Sequence, residues 1–194
     1  PQEGYFVAFV PYNNGKPSGE WEIFANGFAG TEIVTNPRLA KARPCGLALG
    51  PDGSIYVSDD TKGAIFKITQ DKKITLILNE NTPEILAPNG LLVVKNDLFE
   101  VDFASGILYK INLKTKSILK VAEGFGGGDG LIKSGDSFFV SDWKNGKIFK
   151  LQRNKVTLFK EGFTAAADIA LSYDKRSIIT PDMKTGSVTL VPIH

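Results

Sequence analysis

Residues 87–110 read APNGLLVVKNDLFEVDFASGILYK. The segment parses as a small turn at Pro88-Asn89-Gly90, an apolar strand, a second strand ending in Asp102, a turn closed by Gly106, and a third strand. The same grammar recurs upstream over 43–67 as RPCGLALGPDGSIYVSDDTKGAIFK and downstream over 127–150 as GGDGLIKSGDSFFVSDWKNGKIFK. A looser copy, AADIALSYDKRSIITPDMKTGSVTL, covers 166–190. Asp59, Asp102, Asp142 and Asp182 are each followed four residues later by glycine, at Gly63, Gly106, Gly146 and Gly186. Thirteen or fourteen residues before each of these aspartates stand Cys45, Asn89, Asp129 and Asp168.

A recurrence of roughly 40 residues built from short strands is the signature of propeller blades. Ser54 to Ser58 and Lys147 to Leu151 alternate with a period near two, as half-buried strands do, and helix-period stripes are absent. The fold class expected is all-β: a β-propeller of four-stranded antiparallel blades, of the six-bladed type, with four to five blades carried here. Residues 1–194 form a single propeller domain or part of one, with repeats at about 43–80, 87–123, 127–162 and 166–193. The strands expected over 4–26 complete a blade. Closure of that kind gives the last repeat, which stops after its third strand, the outer strand it lacks and removes an exposed edge.

Bulk properties exclude several classes. The 23 basic and 21 acidic residues are interspersed and leave a net charge of +2, so no basic run suits a phosphate backbone and no nucleic-acid partner is expected. No apolar run approaches the ~20 residues of a membrane helix, so no membrane partner is expected either. Cys45 is the single cysteine, which excludes an intrachain disulfide and a multi-cysteine zinc site. The chain opens on Pro1, which points to processing or to a longer precursor.

Candidate chemistry lies at the start of the inner strands, whose ends converge on a propeller's axis. Asn89, Asp129 and Asp168 would place hard oxygen donors there, suited to a divalent cation. The same residues before glycine also stabilise turns through their own backbone hydrogen bonds, and spacing leaves both uses open. The row Asp59, Asp102, Asp142, Asp182 reads as hairpin architecture. Gly124 to Gly130 resembles a phosphate-cradling loop, but a strand follows it rather than a helix. The only histidine is His194, so a Ser-His-Asp arrangement has no internal base. Arg38, Lys41 and Arg43 precede the first repeat and are candidates for holding a substrate carboxylate or phosphate. Trp143, Phe103 and Phe125 supply either an apolar rim or blade packing.

APNGL, GGGDGL, VSDWKNGKIFKL and AADIALSYDKRSIITPDM, within about residues 85–194, resemble the later blades of the senescence-marker-protein/gluconolactonase/LRE-like family of NHL-type propellers. That resemblance implies a six-bladed propeller hydrolysing lactones and related esters with a bound divalent cation. It assigns the metal to Asn89 and Asp129, with Asp129 also the base; no segment here matches that family's amino-terminal glutamate ligand. Residues 4–68, containing YFVAFVPYNNGKPSGEWEIFANGF and RPCGLALGPDGSIYVSDDTKGAIFKI, instead resemble the carboxyl-terminal part of PQQ-dependent sorbosone and sugar dehydrogenases. That second resemblance implies a quinone cofactor and a sugar substrate.

The expected function is therefore hydrolysis of a small lactone or sugar-derived ester. Asp129 would be catalytic; Asn89, Asp129 and Asp168 would hold the cation, calcium first, with manganese, magnesium or zinc as alternatives. A PQQ-dependent oxidoreductase and a non-catalytic NHL-like binding module are the alternatives. A small-molecule substrate, a periplasmic or secreted location, and a second chain or segment supplying missing blades complete the expectation.

Overall fold

The computed structural model describes residues 2–3, 6–28, 33–34, 41–79 and 81–193. Before the first repeat lie β1 (Gln2–Glu3), β2 (Val7–Phe9), β3 (Tyr12–Asn13), β4 (Lys16–Pro17), β5 (Glu22–Ala25) and β6 (Ile33–Val34). The repeats then form four antiparallel sheets. The first holds β7 (Pro44–Leu49), β8 (Ile55–Asp59), β9 (Ala64–Ile68) and β10 (Ile74–Leu78). The second holds β11 (Pro88–Val94), β12 (Asp97–Asp102), β13 (Ile107–Asn112) and β14 (Ile118–Glu123). The third holds β15 (Gly128–Ser134), β16 (Ser137–Asp142), β17 (Lys147–Gln152) and β18 (Lys155–Glu161). The fourth has only β19 (Ala170–Leu171), β20 (Ser177–Asp182) and β21 (Ser187–Pro192). These are four blades of a β-propeller, and the repeat in the sequence is the blade.

Strand alternation makes each blade two-faced. On β16, Phe138 and Val140 turn toward the second blade and join Phe99, Val101, Phe125 and Leu131. Phe139, between them, turns the other way and packs with Ile178 and Val191 of the fourth blade. The first and second blades meet over Tyr56, Ile65, Leu91, Leu98 and Ile111. The core is thus a series of sandwich layers about 10 Å thick rather than one central cluster. Burying a Phe139 or Leu98 side chain in such a layer contributes roughly 1.5–3 kcal/mol.

The inner strands run side by side, and glycine lets them. A Cβ on Gly46 would stand 2.1 Å from the Asn89 carbonyl oxygen of the next blade, and one on Gly90 would stand 2.2 Å from the Asp129 carbonyl oxygen. On Gly130 it would meet the Ile169 backbone nitrogen at 2.4 Å. Hydroxyls staple the same junctions. Ser58 Oγ accepts from the Gly46 N–H and donates to the Asn89 carbonyl at 2.6 Å, while Ser141 Oγ accepts from Gly130 N–H and donates to the Ala167 carbonyl at 2.7 Å.

The row aspartates are structural, as the spacing suggested, and they do more than cap a turn. Asp102 accepts from the amides of Ala104 and Ser105 in its own hairpin, and from those of Leu86 and Ala87 leading into the inner strand. Asp59 does the same with Thr61, Lys62 and Arg43, and Asp182 with Lys184, Thr164 and Ala165. Each carboxylate ties the middle strand's turn to the segment that aims the inner strand.

One expectation needs correction. The segment expected to complete the final blade pairs within itself among the described residues: β2 with β5, β3 with β4, and β1 with β6. Val7, Phe24, Ala25 and Phe28 pack instead against Val57 and Ile68 of the first blade. Apolar complementarity to that blade's open face draws the hairpin there, and β21 pairs only with β20.

Because backbone of the neighbouring blade occupies the space, Gly90→Ala is expected to lower the unfolding free energy by about 1–3 kcal/mol, read from the urea midpoint at unchanged m-value.

Candidate functional site: the central mouth

Three inner strands carry a β-bulge where they begin. The register shifts between Pro44 and Leu47, between Pro88 and Leu91, and between Gly128 and Leu131. Cys45-Gly46, Asn89-Gly90 and Asp129-Gly130 sit inside these bulges. A bulge re-aims the side chain it contains, and here it does so at the same end of consecutive inner strands. The glycine contacts fix the neighbours: Gly90 lies against the Asp129 backbone, and Gly130 lies against Asp168, whose Oδ1 is 2.8 Å from where a Cβ would be. Asn89, Asp129 and Asp168 therefore stand at one mouth, where the inner strands of three successive blades begin.

The mouth is electrostatically tense. Burial, then the negative charges of Asp168 and Asp60, push the Asp129 carboxyl up to about 7. Asp168 keeps part of its surface open to solvent, yet the protein crowded around its carboxyl also raises it, against a hydrogen bond from the Ile169 amide. Cys45 is pushed up to about 12 by burial and by Asp60, which makes it an inert thiol rather than a nucleophile. Its Sγ–H points back to the Arg43 carbonyl at 3.3 Å.

The proposed substrate-holding cations are less concentrated here than expected. Arg43 is engaged by Asp60 in an ion pair of 2.7 Å. Lys41 is exposed, and Arg38 lies outside the described residues. Among the described residues no three His, Cys, Asp or Glu side chains gather as a metal-ligand group. A cation at the mouth would accordingly draw on two carboxylates, the Asn89 amide oxygen, backbone carbonyls and water, a donor set within the habits of calcium. The raised Asp129 carboxyl fits such an ion, since a cation would offset both the burial that chiefly raises it and the repulsion from Asp168 and Asp60.

Around the mouth runs a rim that the repeat builds. The residue after each row aspartate is Asp60, Phe103, Trp143 or Met183. Phe103 N–H donates to the Ala87 carbonyl, Trp143 N–H to that of Gly127 and Met183 N–H to that of Ala165, each tying the residue after the row aspartate to the segment that enters an inner strand. Lys144 Nζ sits 4.5 Å from the Phe103 ring, Lys184 Nζ 4.7 Å from the Trp143 ring, and the two rings are 6.2 Å apart. This cation–aromatic ladder spans three blades at the same end as the carboxylates. Phe125, the third aromatic considered for a rim, is instead fully buried between blades.

Sequence reasoning missed Glu100. It is fully buried on β12, facing the first blade, and neither carboxyl oxygen has a hydrogen-bond partner. Burial and then Asp102 raise it well above the ordinary glutamate value, and the nearby Asn89 amide opposes this without forming a hydrogen bond. The signal was available: register equivalents are Val57, Val140 and Thr180, so a glutamate there breaks the pattern.

No family model matches the chain, and no curated protein matches it. Solved structures do, at low identity. A streptogramin B lyase aligns at TM-score 0.57 and 17% identity, over 77% of this chain and 54% of its own. Virginiamycin B lyase from Staphylococcus aureus aligns at TM-score 0.56 and 16% identity, over 77% and 55%. A nidogen–laminin complex aligns at TM-score 0.74 and 12% identity, over 93% of this chain and 68% of that one. The chain thus spans about half the length of the lyases it matches. At these identities the likeness shows the fold: this is a β-propeller protein.

A raised folded-state value means Glu100 favours folding most below its unfolded value near 4.5 and loses that contribution as pH climbs toward the folded one. The stability of Glu100→Gln relative to wild type is expected to rise with pH above that value, measured by urea denaturation in a pH series.

Proposed function

We propose that the central mouth binds a divalent cation through Asn89 and Asp129, with Asp168 beside them, and hydrolyses a small lactone or sugar-derived ester. The observation that carries this reading is the alignment of these three residues where successive inner strands begin, Asn89 and Asp129 in bulges and Asp168 just ahead of its strand, with the Asp129 carboxyl raised to about 7. A carboxyl with a value of about 7 divides evenly between its two forms at neutral pH, which suits a general base. A bound cation would polarise the ester carbonyl and acidify water. Asp129 would accept the proton of the attacking water, Asp168 would keep the mouth negative, and the Phe103–Trp143 rim would receive the apolar face of a small ring. Lys144 and Lys184, on that rim, replace Arg43 as the positive charges facing an anionic substituent.

A second reading, a non-catalytic binding module, has one observation in its favour: the highest TM-score of the three comparisons belongs to a structure of a complex between proteins. The two readings part at the cation and at turnover.

Calorimetry with Ca²⁺ and Mn²⁺, and a panel of aldonolactones, decide between them. Wild type is expected to bind cation and turn over, and Asp129→Ala to lose both, with hydrolysis down on the order of 100-fold or more. Cation affinity is expected to climb as pH passes upward through about 7, because the ion competes with the proton on Asp129. Trp143→Ala is expected to raise KM several-fold with little change in kcat. Absence of cation binding and turnover in the wild type defeats the hydrolase reading, and a quinone absorption band would favour the oxidoreductase alternative.

A further inference from the structure

Among the described residues, every blade face that looks toward a following blade is covered, except the last. Two residues past the turn glycine stand Ile65, Leu108 and Ile148 in the first three blades, each 0% exposed. The same position in the fourth blade is Val188, at 65%. Strand register sets Val188 opposite Pro181, Leu190 opposite Ile179, and Ile179 opposite Ala170, so these five apolar residues share one face. Leu190 on that face is 64% exposed.

The blade's edge is open as well. Where β10, β14 and β18 form the outer strand of the other blades, β21 has no further neighbour among the described residues. A groove lined by Phe159, Lys160, Leu190 and Pro192 runs beside it. At the opposite end of the arc, Val7 and Ala25 pack on the first blade, while Ala8 and Ile23 pair on the hairpin's other face and are exposed. Trp21 extends that face, with the Phe6 ring stacked on it at 5.5 Å. Both ends of the arc therefore present apolar surface of the kind that marks interaction sites.

We infer that the face Ala170–Ile179–Pro181–Val188–Leu190 and the open edge of β21 together dock a further propeller blade from outside these 194 residues. Its inner strand, carrying glycine, lies flush on the face, and a strand joins the edge of β21. The occupant follows from the chain itself: at each of its three internal junctions the cover on this face is another blade, seated through an X-Gly or equivalent inner strand. The span agrees, since the arc matches 68% of the chain in the nidogen–laminin complex, leaving room for about two blades of roughly 40 residues. A second copy of the chain would bring four blades and its own hairpin to a gap of that size. This inference is independent of the hydrolase reading.

Three measurements on the full chain test it. Val188→Lys is expected to leave the thermal midpoint within about 2 °C, whereas Ile148→Lys, at the equivalent covered position, lowers it by more than 8 °C. Amides of β21 are expected to exchange far faster than those of β17. Appending a second copy of residues 114–161 after the last residue supplies an outer strand for the edge of β21 (the copy of β14) followed by a blade of known sequence (the copy of β15 to β18). With it, the midpoint is expected to rise, β21 amides to gain protection, and Val188→Lys to become costly. A large loss from Val188→Lys in the unextended chain, or an extension that changes neither midpoint nor exchange, overturns the proposal. So does a tight dimer of the unextended chain that is abolished by Val188→Lys, which would make a second copy the occupant.

Discussion

The close approach of one inner strand to the next governs this molecule. Gly46, Gly90 and Gly130 each face backbone of the following blade at distances where no Cβ fits. That contact sets the blade-to-blade spacing, and with it the apolar layers on either side. It also sets the mouth, because the residue before each of these glycines sits in the bulge where an inner strand begins. Packing and the candidate chemistry share a dipeptide: the glycine closes the junction, and its predecessor stands beside it in the same bulge.

The row aspartates hold the arrangement from the other side of the strand. Each accepts amides from its own turn and from the segment leading into the inner strand, so the bulge that aims Asn89 or Asp129 has a fixed starting point. Charge-assisted hydrogen bonds of this kind are stronger than neutral ones, and a buried carboxylate with several donors is stable as an anion. Glu100 is the contrast. It lies as deep as Asp102, two residues away, but has no donor, so the protein disfavours its charged form.

The mouth follows the same logic of unequal partners. Asp129 and Asp168 come close enough for their charges to interact, with Asp60 contributing from the rim. Arg43, the nearest candidate to balance them, is spent on Asp60. On the proposed reading, the surplus negative charge would favour a cation at the centre, and the aromatic–lysine rim a ring-shaped or anionic group above it. That is the physical content behind the proposed hydrolase, and it would hold for a binding module too.

Repeat spacing, the four aspartate–glycine pairs and the strand alternation were legible without coordinates, because they are local rules of turn and strand. So was the row Cys45, Asn89, Asp129, Asp168, since register alone puts those residues at one end of the inner strands. Spacing could not reveal that Arg43 is paired, that Glu100 lacks a donor, or that Phe125 is buried, because each depends on what a neighbouring blade brings. Nor could it tell where the amino-terminal hairpin goes: β2 and β5 read as strands in any setting. Sequence by itself determined the blade, as a unit whose hydrogen bonds are internal. Tertiary structure alone decided how the arc ends, because the amino-terminal hairpin lies against the first blade and, among the described residues, nothing covers the fourth blade's face and edge.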